Sequence, residues 1–275
     1  MHAGRGREKS IKGAALQWFA SFLSGRHQAT LVGGSISPYA ALHAGVPQRA
    51  ILSPLLFSVY MNDIPFGGTT NLLADDTSSY VIDTSPHTVC HKLQLRTDAL
   101  CSWFNTWLLS MNSLKSAVMI FRSRKMQPIK ADIWIGSAKI PQVRSHRHLG
   151  VTFNKTLSWS DHVNQIISSA SSKIGFLRRL QKSLDQLLLR DLYLLCIRPA
   201  MEYAILVWAG LSKTEANRQE KCNRSAAGLI AKISIRADLP RHLLLACAGL
   251  ESLEVRRKVA QVKFCLKMTK LLAVA

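Results

Sequence analysis

An α+β domain followed by an all-α region is the fold class that the sequence predicts, and three observations carry it. Short β-prone runs separated by turn signals recur between residues 28 and 153. Three stretches with helical spacing of apolar residues are interleaved with them. From Trp159 onward the pattern is helical to the end, so mixed sheet gives way to a helical bundle. The expected division is a basic tail over residues 1–10, a mixed unit over 11–158 and a helical region over 159–275.

Each element has a local reason. Residues 11–24 place Leu16, Phe19, Ala20 and Leu23 on one helical face, with Gly25 as a stop. Residues 28–32 and 37–42 read as strands around Gly33-Gly34, a hairpin signal. Residues 52–62 form a helix whose first turn suits Pro54. A hairpin is expected over 69–82, then a long helix over 85–110 capped by Ser85 and Pro86, with Val89, Leu93, Leu100, Phe104 and Leu108 near helical repeat. Strand signals follow at 117–121, 133–135, 139–143 and 149–153. Helices are expected over 160–180, 184–197, 201–209, 215–232 and 239–269.

Composition narrows the class of partner. The 275 residues suffice for one large or two modest domains with a proper core. With 36 Lys and Arg against 16 Asp and Glu, the net charge of +20 favours a polyanion. The charge is concentrated: Lys115, Arg122, Arg124, Lys125, Lys130, Lys139, Arg144 and Arg147 fall in one stretch whose single acid is Asp132. That stretch suits a groove for template and primer phosphates, with a solvated basic surface as the alternative.

The six cysteines are scattered without a Cys-x-x-Cys pair, so neither a zinc ribbon nor a disulfide framework is indicated, and reduced, intracellular thiols are the expectation. His87, Cys90 and His91 make a tight cluster, read as ordinary packing because no second cluster accompanies it. No signal peptide is visible, and residues 187–211, the most apolar region, are interrupted by Arg190, Asp191, Arg198, Pro199 and Glu202, so no membrane span is expected. The location expected is the nucleus or cytoplasm.

Leu73-Ala74-Asp75-Asp76-Thr77 lies between two β-prone runs, which would hold two carboxylates at a hairpin tip where a metal ion binds. An Asp-Asp pair alone is usually a solvated turn. Here it is preceded by Gly45-Val46-Pro47-Gln48, Leu52-Ser53-Pro54-Leu55-Leu56-Phe57, Tyr60 and Asn62-Asp63. In that order and spacing these segments resemble the reverse transcriptase of non-LTR (LINE-type) retrotransposons. The resemblance continues through Trp18, Ser21-Phe22-Leu23 and Arg26-His27-Gln28 upstream. Downstream it runs through Trp103, Trp107, Leu108, Asn112, Lys115, His148-Leu149-Gly150-Val151, Leu157-Ser158-Trp159, Asp161-His162, Pro199, Glu202-Tyr203 and Trp208.

The resemblance implies an incomplete right-hand polymerase palm followed by a thumb-like helical region. It also implies nucleotidyl transfer onto a primer 3′ hydroxyl with RNA template, DNA primer, dNTP and Mg²⁺, Mn²⁺ being possible. Asp75 would be the catalytic metal ligand with Asp76 supporting. Gly45, Val46, Pro47, Gln48 and Lys115 would meet template and nucleotide, and Arg122, Arg124, Lys125 and Lys130 the nucleic-acid backbone. Two positions depart from the family pattern: Arg49 stands where glycine follows Pro-Gln, and Leu73 where Phe or Tyr precedes Ala-Asp-Asp. The family's other metal-bridging Asp lies on an earlier strand, yet the only acid between residues 1 and 62 is Glu8. The first ligand is therefore expected to be missing, and the chain to be a truncated, decayed polymerase domain.

Other features read as structural. Trp18, Phe22, Trp103 and Trp107 fall on helix faces and read as core. His146 and His148 read as surface residues, and Asp63 as a helix-end residue. Three outcomes remain open: an RNA-directed DNA polymerase, a nucleic-acid-binding remnant without turnover, or an inert product.

Overall fold

The computed structural model describes residues 12–43, 45–47, 49–65, 68–123, 125–233 and 239–272. The expected tail at 1–10 lies outside the described residues. The chain divides into one unit of Met1–Met111 with Trp134–Ser137 and a second of Asn112–Ile133 with Ala138–Ala275. The boundary expected after residue 158 falls inside the second unit.

In the first unit, α1 (Ala14–Leu23) buries none of its residues. Trp18 is 52% exposed, stacked on Phe22 instead of entering a core, so its expected core role does not hold. Strand β1 (His27–Gln28) pairs with β4 (Ala40–Ala41), enclosing the tight hairpin of β2 (Leu31–Val32) and β3 (Ser35–Ile36). Helix α2 (Ser53–Tyr60) carries proline in its first turn, where no backbone donor is needed. Strands β5 (Thr70–Leu73) and β6 (Asp76–Ser79) form the expected antiparallel hairpin. Helix α3 (Pro86–Thr106) begins where the Ser85 hydroxyl accepts from the Thr88 amide at 3.5 Å. The core is Met61, Leu100 and Phe104, with Phe57, Tyr60, Leu72 and Trp103 against it. Strand β7 (Trp134–Ile135) docks on α3 through Gln94, whose amide accepts from Trp134 N–H at 2.8 Å and donates to its carbonyl at 3.0 Å.

The second unit starts with an irregular layer. Residues 117–121, expected as a strand, make only a bridge between Val118 and Gln142. The bridge is parallel: Pro141 O accepts from the Val118 amide at 3.0 Å, and Val143 N–H donates to the Val118 carbonyl at 2.9 Å. Strand β8 (Ala138–Lys139) precedes β9 (Ser145–His148), which pairs with β10 (Val151–Asn154). Strand β9 was not expected, because Ser-His-Arg-His has no apolar alternation. It places His146 on the surface, as expected, and half-buries His148.

The helices are α4 (Ser160–Leu180), α5 (Gln186–Leu192), α6 (Arg198–Glu202), α7 (Lys213–Ile230), α8 (Arg241–Cys247) and α9 (Leu253–Leu272). A π-helical turn, Tyr193–Ile197, joins α5 to α6 and absorbs Pro199, which cannot donate to the preceding turn. The helix expected over 201–209 stops at Glu202, since Tyr203 turns away, its hydroxyl donating to Leu149 O at 2.9 Å and its carbonyl accepting from the Trp208 indole N–H at 2.8 Å. A Cβ on Gly150 would stand 2.8 Å from that tyrosine ring. The helix expected over 239–269 is broken after Cys247. Gly249, with φ 63°, ends α8 while Gly249 N–H bonds Ala246 O and Leu250 N–H bonds Leu245 O, a Schellman closure. The main core joins Ile174, Leu177, Leu189, Tyr193, Ile197, Met201 and Ile230, and Val151, Ile205 and Trp208 tie the β9–β10 hairpin to the helices.

Candidate acidic hairpin and cationic segment

In the first unit, Arg26 donates to the Gly45 carbonyl, and the Ser53 hydroxyl donates to Pro47 O. The Gly-Val-Pro segment is thus tied to the strand before it and the helix after it. Gly45 is exposed, Val46 and Pro47 half-buried; Gln48 lies outside the described residues. Arg49 adopts φ 63°, a left-handed conformation suited to glycine.

The hairpin register explains how the two acids are presented. Leu72 faces Thr77 and Leu73 faces Asp76, and side chains alternate between the faces of a strand. Leu72 packs on the core, which directs Thr77 inward and leaves Leu73 and Asp76 on the outer side. Leu73 is 58% exposed, and Asp75 and Asp76 are both exposed. Ala74 opens the turn at φ 52°. The base of the hairpin is held by Thr70 Oγ1 on Ser79 Oγ at 3.2 Å and by the Arg96 guanidinium on the Tyr80 carbonyl. Because α2 and β5 share one core, the loop's helix and the acidic hairpin rest on the same scaffold. Among the described residues no group of three His, Cys, Asp or Glu side chains stands close enough to hold a metal ion, the His87, Cys90 and His91 cluster included.

In the second unit the expected backbone contacts separate. Arg122 and Lys130 line a cavity of about 330 Å³, joined by Arg144 and Lys155. Lys125 and Lys115 are exposed and do not line it, and Arg124 lies outside the described residues. Asp132 is drawn to Lys139 at 2.8 Å, and that hydrogen bond holds its carboxyl below the usual range. Lys155 carried no sequence signal of its own. Its place follows from the β9–β10 register, since Asn154 faces Ser145 and the Lys155 amide next donates to Arg144 O at 3.0 Å. No helix among the described residues is long and apolar enough to cross a membrane.

No protein-family profile matches the chain, and no solved structure matches it. Curated proteins do. The chain is 26% identical over 211 residues to the probable RNA-directed DNA polymerase from transposon BS of Drosophila melanogaster, covering 72% of this chain and 23% of that protein. It is 26% identical over 220 residues to the probable RNA-directed DNA polymerase from transposon X-element of the same fly, covering 76% and 24%. It is 25% identical over 229 residues to the RNA-directed DNA polymerase from mobile element jockey of Drosophila funebris, covering 77% and 25%. The chain spans about a quarter of the length of these relatives. Over about three quarters of its own length it is therefore similar to the RNA-directed DNA polymerases of non-LTR retrotransposons.

Proposed function

We propose that this chain is a piece of a retroelement RNA-directed DNA polymerase that engages RNA template and DNA primer but does not complete nucleotidyl transfer by itself. The observation that carries this is the Asp75-Asp76 hairpin: two exposed carboxylates beside the Gly-Val-Pro segment's helix, with no third candidate ligand in reach among the described residues. A two-ion phosphoryl-transfer site needs oxygen ligands that clamp both ions on attacking and leaving sides. Two adjacent carboxylates on one turn do not fit that arrangement. In this proposal residues 45–47 face template and nucleotide, the first unit is a partial palm and the helices of the second are thumb-like. Arg122, Arg124, Lys125 and Lys130 grip the nucleic-acid backbone.

Primer extension on an RNA template with Mg²⁺ or Mn²⁺, comparing the chain with Asp75→Ala, tests the catalytic half. No extension by either protein is expected, and turnover that disappears in the variant would overturn it. Filter binding to a primer-template across a salt series tests the other half. Affinity should fall steeply with salt, and affinity independent of salt would rule out phosphate recognition.

A further inference from the structure

We infer that the cavity in the second unit is a nucleotide seat that holds one unit of a single nucleic-acid strand, a site distinct from the acidic hairpin. The inference rests on the nucleic-acid reading above and assigns the residues: Arg122, Lys130, Arg144 and Lys155 for phosphate, with Ile120, Ile129 and Val143 of the same lining for the sugar and base.

Three observations support it. The first is charge. Arg122 N–H bonds the Lys155 carbonyl and Lys155 N–H bonds the Arg144 carbonyl, each at 3.0 Å, so three cations stand on neighbouring backbone segments. Like charges on neighbouring strands repel, and no carboxylate lines the cavity. The nearest relief is Asp132, 4.0 Å from Lys130 and already held by Lys139. An anion removes that repulsion.

The second is preorganisation. The Gln142 amide donates to Ile129 O at 2.8 Å and accepts from Ala131 N–H at 3.0 Å, which pins one wall. Arg122 donates to the Ser123 carbonyl at 3.3 Å and to that of Met126, which pins another. A wall fixed in advance lowers the ordering cost of binding.

The third is size and lining. About 330 Å³ lies at the small end of ligand pockets, large enough for a nucleotide and far too small for a duplex. Cations and aliphatic side chains lining one cavity match a phosphate attached to an apolar body. A bare inorganic anion would leave the aliphatic part of the lining uncovered.

The test is fluorescence anisotropy of a labelled single-stranded RNA oligonucleotide with the full chain. Arg144→Gln with Lys155→Gln is compared with Lys263→Gln with Lys267→Gln, which removes the same charge from the exposed half of α9. The first pair should weaken binding at least ten-fold and flatten the logarithmic salt slope by about 1.4, since each phosphate contact on a single strand contributes about 0.7. The second pair should weaken it less than three-fold. Equal losses from the two pairs overturn the seat. So does oligonucleotide displacement by micromolar ATP, which would make the occupant a free nucleotide. Because removing like charges relieves repulsion, the first pair should keep the wild-type thermal midpoint. Primer-template binding that survives intact in the first pair overturns the seat while leaving the proposed function standing; wild-type protein that binds neither single strand nor primer-template overturns both.

Discussion

Replacing Arg49 with glycine should tighten the segment that leads into α2. Arg49 holds φ at 63°, where an L-residue costs about 1–2 kcal/mol because its Cβ crowds the following carbonyl oxygen. Glycine escapes that cost but gives up about 0.5–1 kcal/mol more chain entropy on folding. The arginine side chain is exposed, so little packing is lost with it. The balance is a gain of about 0.5–1 kcal/mol. The segment is closed by Ala50 N–H on Pro47 O at 3.4 Å and Ser53 N–H on Ala50 O at 3.2 Å. Native-state hydrogen exchange at those two amides reports its local opening and should slow about two- to five-fold in Arg49→Gly. Arg49→Ala keeps a Cβ and should show no slowing. Equal rates in the two variants would refute the claim that backbone strain, and not the loss of a long cation, is what the substitution relieves.

Two further outcomes follow from the second unit's interior. Tyr193 is fully buried and its hydroxyl donates to Asn223 Oδ1 at 2.6 Å, so Tyr193→Phe should cost about 1–3 kcal/mol by stranding that oxygen without leaving a cavity; an unchanged urea midpoint would contradict it. His162 is buried beside Trp208 with Nδ1 accepting from the Thr152 amide at 3.2 Å, and burial first, then Arg147, pushes its pKa below the ordinary histidine value. The unfolded chain therefore binds the proton more readily, and stability should decline as pH falls through about 6.5. His162→Gln should flatten that decline, and a slope unaltered by the substitution would place its origin elsewhere.

Legibility in the sequence followed the range of the interaction that fixes each element. The α4 helix was read at both ends because its apolar spacing is local, and the β5–β6 hairpin because two β-prone runs flank a short polar turn. What could not be read depended on a partner elsewhere in the chain. Trp18 looked like a core residue from periodicity alone, yet whether a face is covered is decided by another element. Tyr203 ended a helix early because Leu149, far away in sequence, offers a carbonyl. The candidate site divides in the same way. Asp75 and Asp76 were visible because neighbours mark them, whereas Lys155 becomes part of a cavity only through the hairpin register that sets it beside Arg144. Reading His148-Leu149-Gly150-Val151 as a two-residue turn would have been enough to find that pair.

The distribution of burial bears on what the acidic hairpin can do. Among the described residues, the buried apolar side chains of the first unit are Met61, Leu100 and Phe104, while the remainder, Trp208, Tyr193 and Ile230 among them, lie in the second. A unit of that length ordinarily buries far more apolar surface, and here Leu31, Val32, Ile36 and Tyr39 stay exposed along the strands before the Gly-Val-Pro segment. Catalytic ligands must be held to within about 0.5 Å by packed surroundings. Asp75 and Asp76 instead extend from a four-residue strand pair whose anchor in that small core is Leu72. Phosphate recognition tolerates looser geometry, because it draws on charge at longer range. This contrast is what favours, in the function proposed above, cations of the well-packed second unit as the nucleic-acid grip over the acidic hairpin as a complete metal site.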